Sequence, residues 1–369
     1  MTSHRDGPGA VVVGAGVSGL TTALVLARRG WRVSVVADRF GAGTVTTVAG
    51  AVWELPPSVC GRHHSQAVLT RSADWAMVSY HRFAQLVADP HAGVSLRPAV
   101  FYFRHRVTDH TGEHDKMRQL QMQVPGFVHD ATLIDAYGVN REIGLVDAYS
   151  YLAPTVDTER YLTWLGTQAE AAGVQVVHGA VTGSLVAEQD RLCSDFAAEV
   201  IVNCTGLGAV SLAADTAMDP HRGALLRMVN DGATMPRITA VHAVANDADT
   251  DAQNMIFIVP RGEDRLLIGG LVEPGEWDTD LSLDDPRIRD MFDRAVEFLP
   301  ILRAAQPDPV DPLRTGLRPF RAGGVRLEAQ PGTRVVHNYG HGGAGVTLSW
   351  GCAEQVADIA ETVAAATVV

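Results

Sequence analysis

Ala10-Val11-Val12-Val13-Gly14-Ala15-Gly16-Val17-Ser18-Gly19-Leu20 carries the first decision about a chain of 369 residues. Small and β-branched apolar residues run straight into G-x-G-x-x-G, and Leu20 to Arg29 then reads as a helix. A buried strand, a glycine turn and a helix, in that order, are the context a dinucleotide fingerprint requires. Gly14 permits the turn, Gly16 lets the backbone approach a pyrophosphate, and Gly19 lets helix and strand pack closely. The free N–H groups of the helix start, at Val17 and Ser18, offer the phosphates a partial positive charge. A second apolar run, Arg32 to Ala37, ends in Asp38, 19 residues after Gly19. A carboxylate there accepts hydrogen bonds from a ribose diol, which favours an unphosphorylated adenosine ribose.

Working outward, the composition is that of a globular protein with one large domain or two intertwined ones, 46% hydrophobic and 20% charged. A net charge of −12 argues against a nucleic-acid surface. The longest apolar runs are strand-sized, far short of the ~20 residues a bilayer span needs. No signal-peptide pattern and no peroxisomal tripeptide is visible, and a cytoplasmic location is expected. Cys60, Cys193, Cys204 and Cys352 are scattered without C-x-x-C spacing, which reads as reduced thiols. Residues 1–9 read as a disordered leader.

Gly41 to Gly50 is rich in glycine and threonine. Either its backbone and the Thr46 and Thr47 hydroxyls bind a diphosphate or ring system, or it is an ordinary strand-to-helix loop. Ser65 to Val87 has apolar residues at helical spacing, and Ser95 to Phe103 alternates like a strand. Residues 104–145 are polar, and His105, His110 and His114 lack the companion ligands that would fix a metal geometry. A solvated hairpin or loop is expected there. Asp157 to Ala172 is a helix stopped by Gly173, followed by a strand to Val177 and a hairpin-like stretch from Ala180-Val181 to Cys193. Glu199 to Asn203 is another buried strand, and the turn at Thr205-Gly206 brings backbone back towards the first fingerprint.

Beyond Gly208 the pattern changes to strands of a separate sheet: Arg222 to Met228, Met255 to Val259 and Arg265 to Gly270. Between the first two, Val241 to Asn254 is polar and acidic, either a lid or a solvated connection. Asp285 to Leu299 reads as a helix closed by Pro300. Arg334 to Asn338 is a strand entering Tyr339-Gly340-His341-Gly342-Gly343-Ala344-Gly345-Val346-Thr347, and a helix runs from Leu348 to Ala365. Glycines crowded against the start of a helix form a second backbone nest with a positive dipole behind it.

These residues resemble the FAD-dependent D-amino-acid oxidases and their D-aspartate oxidase relatives, over roughly Val11 to Cys352. The resemblance is carried by the fingerprint, Ala37-Asp38-Arg39-Phe40, Thr46-Thr47-Val48-Ala49-Gly50, Val202-Asn203-Cys204-Thr205-Gly206 and Arg222-Gly223. Arg314-Thr315-Gly316-Leu317-Arg318-Pro319, His337 to Gly343 and Trp350-Gly351-Cys352-Ala353 complete it. It implies an α/β fold in which a Rossmann-type FAD-binding domain (1–56, 155–220 and 315–369) is interleaved with a β-rich substrate domain (57–154 and 221–314). It also implies oxidation of a D-amino acid, with hydride passing to FAD and molecular oxygen reduced to hydrogen peroxide. The imino acid then hydrolyses to keto acid and ammonia. Arg318 would clamp the substrate carboxylate, and the Gly343 carbonyl would accept from the substrate amine. FAD contacts are expected from the fingerprint glycines, Asp38, Arg39, Thr46, Thr47, Gly50, Ala51, Val181, Thr205, Gly206 and Arg318. Gly342, Gly343, Gly345, Val346 and Thr347 would serve its flavin end. The substrate pocket would draw on Phe257, Gln253, Trp53 and Ala344.

The departures from the family pattern are specific. Phe257 and Gln253 stand where tyrosines that serve the carboxylate are expected, and Ala344 replaces a frequent aromatic. Glu54 adds a negative charge that either attracts a basic substrate or faces solvent. A structural salt bridge at Arg318, a specialised amine or imino-acid oxidase, and a catalytically silent flavin-binding protein are the competing readings. Monomer and homodimer are both left open.

Overall fold

The computed structural model describes residues 7–56, 66–245 and 254–367. Gly9–Val13 is buried along its whole length and lies in the middle of a six-stranded sheet. It pairs in parallel with Arg32–Ala37 on one side and Val200–Asn203 on the other. Gln175–His178 and Val335–Tyr339 extend the sheet in parallel, and Arg326–Ala329 closes one edge antiparallel. Central parallel strands covered on both faces read as unbroken apolar runs, and this is why no alternation appears in Ala10 to Val13. The expected leader does not extend to residue 9: the strand begins at Gly9, and the Pro8 carbonyl accepts from the Arg32 N–H at 2.9 Å, while residues 1–6 lie outside the described residues.

Helices Val17–Arg28, Gln66–Leu86, Thr158–Ala171 and Gly345–Thr367 share one core with this sheet. Asp157 caps the third of them by accepting from the Arg160 N–H, at the expected boundary. The last helix starts at Gly345, not Leu348, so the glycine nest opens directly into its first turn.

A second, nine-stranded sheet is mostly antiparallel. Its long members are Val94–Phe103, Asp147–Val156, Met218–Val229 and Leu313–Arg321. Ile256–Arg261 and Arg265–Gly269 form a hairpin within it. Leu313–Arg321 pairs with Met218–Val229 along its full length and so crosses the expected domain boundary at residue 315. Pro286–Phe298 covers one face of this sheet through Ile288, Met291, Ala295 and Phe298.

Three expectations fail locally. Residues 104–145 are not a hairpin, because Thr111–Gln123 is a helix held to the core only by Met117 and Leu120. The stretch towards Cys193 holds a helix, Gln189–Asp195, anchored by buried Leu192 and Cys193. Val241–Val244, read as the start of a polar loop, is a fully buried strand. Gln253 and Cys60 lie outside the described residues, as does most of the expected lid.

Candidate functional site

A cavity of about 910 Å³ runs between the two sheets. Its first end is built by the fingerprint. Gly14 sits at φ +111°, and a Cβ there would lie 2.4 Å from the Cys204 carbonyl oxygen. A Cβ on Gly19 would meet the Gly14 carbonyl oxygen at 1.9 Å, so the helix packs against the turn only because both are glycine. Helix Val17–Arg28 has no side-chain cap, and Gly14 to Ser18 line the cavity. Thr46 Oγ1 accepts from the Val17 N–H at 3.1 Å, which fixes the Thr46 segment over the helix start. Asp38 and Arg39 line the same end with most of their side chains in solvent.

Gly50, Ala51 and Val181 line the cavity further along, with Thr205 and Gly206 opposite. Asn203 Oδ1 accepts from both the N–H and the hydroxyl of Thr205, at 3.2 and 2.7 Å, which holds that turn. Gly206 at φ +57° then bends the chain back along the cavity wall. The second nest delivers Gly342, Gly343, Ala344, Gly345, Val346 and Thr347 to the far end. The Thr347 hydroxyl donates to the Val52 carbonyl at 3.5 Å and ties the nest to the Gly50 segment. His341 stands beside it, its Nε2 3.1 Å from Asn338 Oδ1, and burial pushes its pKa down to about 4.

Arg318 enters this end from Leu313–Arg321. Its Nη1 donates to the carbonyls of Arg222 and Leu271 at 3.3 and 3.2 Å. Among the described residues it has no carboxylate partner. Its neighbours differ: Arg222 pairs with Glu273, Arg314 with Glu159 and Asp311, and Arg321 with Asp215. The salt-bridge reading of Arg318 therefore fails within these residues. Gly223 explains the Arg-Gly pair seen in the sequence, since a Cβ there would lie 2.2 Å from Arg318 Nη1.

Phe257 lines the cavity with its ring against Gly50, where a Cβ would meet the ring carbon Cε1 at 2.1 Å. Trp53 does not line it. It is 1% exposed, its indole N–H donates to the Ala76 carbonyl at 2.7 Å, and its ring packs edge-on against Tyr80. Thr47 also stands off the lining, because its hydroxyl donates to the Thr44 carbonyl at 2.9 Å. Glu54 neither faces solvent nor awaits a basic ligand. It is buried and accepts from Lys116 Nζ at 2.6 Å.

Several residues were missed by sequence reasoning. Arg261 is buried and donates to the carbonyls of Ala49 and Gly50 at 2.8 and 2.9 Å and to Thr158 Oγ1 at 3.0 Å. Burial, aided by the nearby Arg227 and Arg265 and opposed by Asp157 and Glu159, lowers its pKa to about 10, so it keeps its charge at neutral pH. Trp277 and Met255 also line the cavity, Trp277 from an acidic loop. An exposed tryptophan between Glu276 and Asp278 was the available signal.

The residues present fit FAD. Two glycine-rich turns, each running into the start of a helix, line the same cavity. Fold and site together define a dinucleotide-binding protein of the two-sheet class with a cationic side chain at the end away from the fingerprint.

Comparison with known proteins sharpens that class. A family model described as FAD dependent oxidoreductase matches residues 10–359. A D-amino-acid oxidase from Streptomyces coelicolor is 35% identical over 365 residues, covering 98% of each chain. Another from Rubrobacter xylanophilus is 34% identical over 359 residues, covering 95% of each. Glycine oxidase from Geobacillus kaustophilus superposes with a TM-score of 0.73 over 96% of this chain and 95% of its own, at 19% identity, a likeness of fold. The chain belongs to the FAD dependent oxidoreductase family, and FAD is its cofactor. Among the described residues no helix is long and apolar enough to cross a membrane.

Proposed function

We propose that the chain is an oxidase of D-amino acids, with its cofactor portion built on the parallel sheet and its substrate portion on the antiparallel one. The observation that carries this reading is Arg318, a cavity-facing guanidinium without a carboxylate partner among the described residues. The names of the two bacterial relatives support the substrate class. Bound FAD would supply the hydride acceptor, with molecular oxygen the co-substrate reduced to hydrogen peroxide.

The chain's own residues bind and orient. Two N–H groups of Arg318 bind the substrate carboxylate in parallel, while the bonds to Arg222 and Leu271 hold the guanidinium in place beforehand. The Gly343 carbonyl accepts from the substrate amine, which is bound neutral, and the α-hydrogen leaves as hydride, so no side-chain base is required. The start of helix Gly345–Thr367 offers positive dipole where negative charge gathers. Phe257 and Met255 keep water from this end.

A panel of D-amino acids mixed anaerobically with the yellow holoenzyme tests the proposal. Bleaching by D- but not L-isomers, and peroxide on admitting air, are expected. Arg318→Ala should weaken substrate binding by about tenfold to a hundredfold, the loss of charged hydrogen bonds worth ~1.5–3 kcal/mol. A panel that leaves the flavin yellow sinks the reading. Phe257, which brings no phenol to the cavity, favours a second one: an oxidase of a less usual amine or cyclic imino acid, revealed by bleaching with those donors alone.

A further inference from the structure

The ion pair between Glu54 and Lys116 has no part in the chemistry above. Glu54 lines the cavity two residues beyond Val52, whose carbonyl accepts from Thr347. It therefore belongs to the end that also holds Arg318 and Phe257, away from the fingerprint. Lys116 reaches it from helix Thr111–Gln123, with Nζ and Oε1 2.6 Å apart and side chains only 10% and 11% exposed. The pair is enclosed by aromatic rings. Lys116 Nζ lies 5.9 Å from the Phe101 ring centre, and Phe101 stacks on Tyr151 at 5.4 Å. The Tyr151 hydroxyl is buried without a hydrogen-bond partner among the described residues. Charge is felt strongly in such surroundings, because little solvent screens it.

A buried pair presents nearly balanced charge to its neighbours, whereas a third charge brought against it has no counterpart. Phe257, Met255 and Val52 add apolar surface to the wall. We propose that the Glu54–Lys116 pair sets the side-chain selectivity of the substrate end: paired, it restricts the site to uncharged side chains. Losing either member re-tunes the site to side chains that replace the lost charge. This rests on the reading of Arg318 as the carboxylate clamp.

The test uses holoenzyme and three carboxylates of different tail charge: hexanoate, 6-aminohexanoate and adipate. Binding is read from the change in flavin absorbance, so no turnover is needed. The unaltered protein should bind hexanoate about tenfold tighter than either charged ligand. Lys116→Met should shift the ratio of 6-aminohexanoate to hexanoate affinity about tenfold towards the amine, and Glu54→Gln should shift the adipate ratio similarly. The double variant should again favour hexanoate. Should Lys116→Met fail to hold FAD, the near-isosteric Glu54→Gln decides alone. Ratios that move less than about twofold overturn the proposal, since charge in the wall would then not reach the ligand tail. The D-amino-acid panel separates the two readings. Bleaching with unmoved ratios removes the pair's role, while shifted ratios without bleaching leave it and remove the D-amino-acid substrate.

Discussion

Arg261 is a cation whose described hydrogen bonds go to neutral groups. The guanidinium binds the Ala49 and Gly50 carbonyls, and Thr158, which it also contacts, donates to the Thr47 carbonyl at 3.3 Å. The Ala49-Gly50 segment of the cavity wall is thereby fixed from behind. Arg261→Met leaves two part-buried carbonyls without this donor, at about 1 kcal/mol each. Cofactor retention on dilution should fall by about tenfold or more, with partial recovery in Arg261→Lys, read as free flavin fluorescence. Equal retention in both variants and the parent would refute the assignment. At this scale the sequence exposed Arg318 through its Arg-Pro context and Phe257 through its place before Ile-Val-Pro. It could not expose Arg261, because a buried arginine bonded to backbone has no partner residue to search for. Trp53 misled for the opposite reason, since an aromatic beside the Gly50 segment looks the same whether it faces the cavity or the core.

Helix Gly345–Thr367 packs backbone to backbone on helix Gln66–Leu86 at Gly351. A Cβ on Gly351 would lie 2.3 Å from the Trp75 Cα, backbone against backbone. Ser79 Oγ accepts from the N–H groups of Trp350 and Gly351, at 3.1 and 3.3 Å, and locks the crossing. Gly351→Ala gains helix propensity but forces the helices apart, a net loss of about 1–3 kcal/mol. Because the displaced helix carries the second nest, thermal melting and FAD retention should drop together. A variant with unchanged melting temperature would show that the crossing yields freely. Elements with a wide apolar face, such as Gln66–Leu86, were legible from spacing. Thr111–Gln123 was not, with only Met117 and Leu120 buried. Leu313–Arg321 escaped for another reason: every residue is half-buried, so no alternation marks it as a strand.

Across the whole molecule, three buried histidines tie stability to pH. Burial depresses His242, His337 and His341 to about 4 from 6.5. Between those values the unfolded chain binds protons that the native protein refuses, so the histidines' contribution falls as pH drops from about 6.5 and is fully lost below about 4. There the carboxylates with lowered pKa, such as Asp285, take over the decline. Each histidine contributes up to about 1.4 kcal/mol per pH unit inside that window. Melting temperature should decline between about pH 7 and pH 5, above the range where most carboxylates titrate. His242→Gln, which removes a ring 2.8 Å from the Tyr102 hydroxyl, should flatten part of the slope. A level profile would contradict the buried neutral assignments. The two-sheet plan was readable at this scale because two glycine-rich turns survive as local signals hundreds of residues apart. The Glu54–Lys116 contact was not, since nothing in either segment names the other.

The strand order of the parallel sheet also governs how the protein comes to exist. Gly9–Val13 pairs with Val200–Asn203, and that strand pairs with Val335–Tyr339. These contacts span most of the chain, a topology that slows folding. During synthesis, a chain not yet extended to Val335 carries an apolar, unpaired strand edge at Val200–Asn203, the kind of surface that chaperones shield. On the proposed reading it also carries one half of an FAD cradle whose other half, the nest before Gly345, has not been translated. Capture of the cofactor therefore belongs to the end of biogenesis, and yellow colour reports a chain that has been both finished and folded.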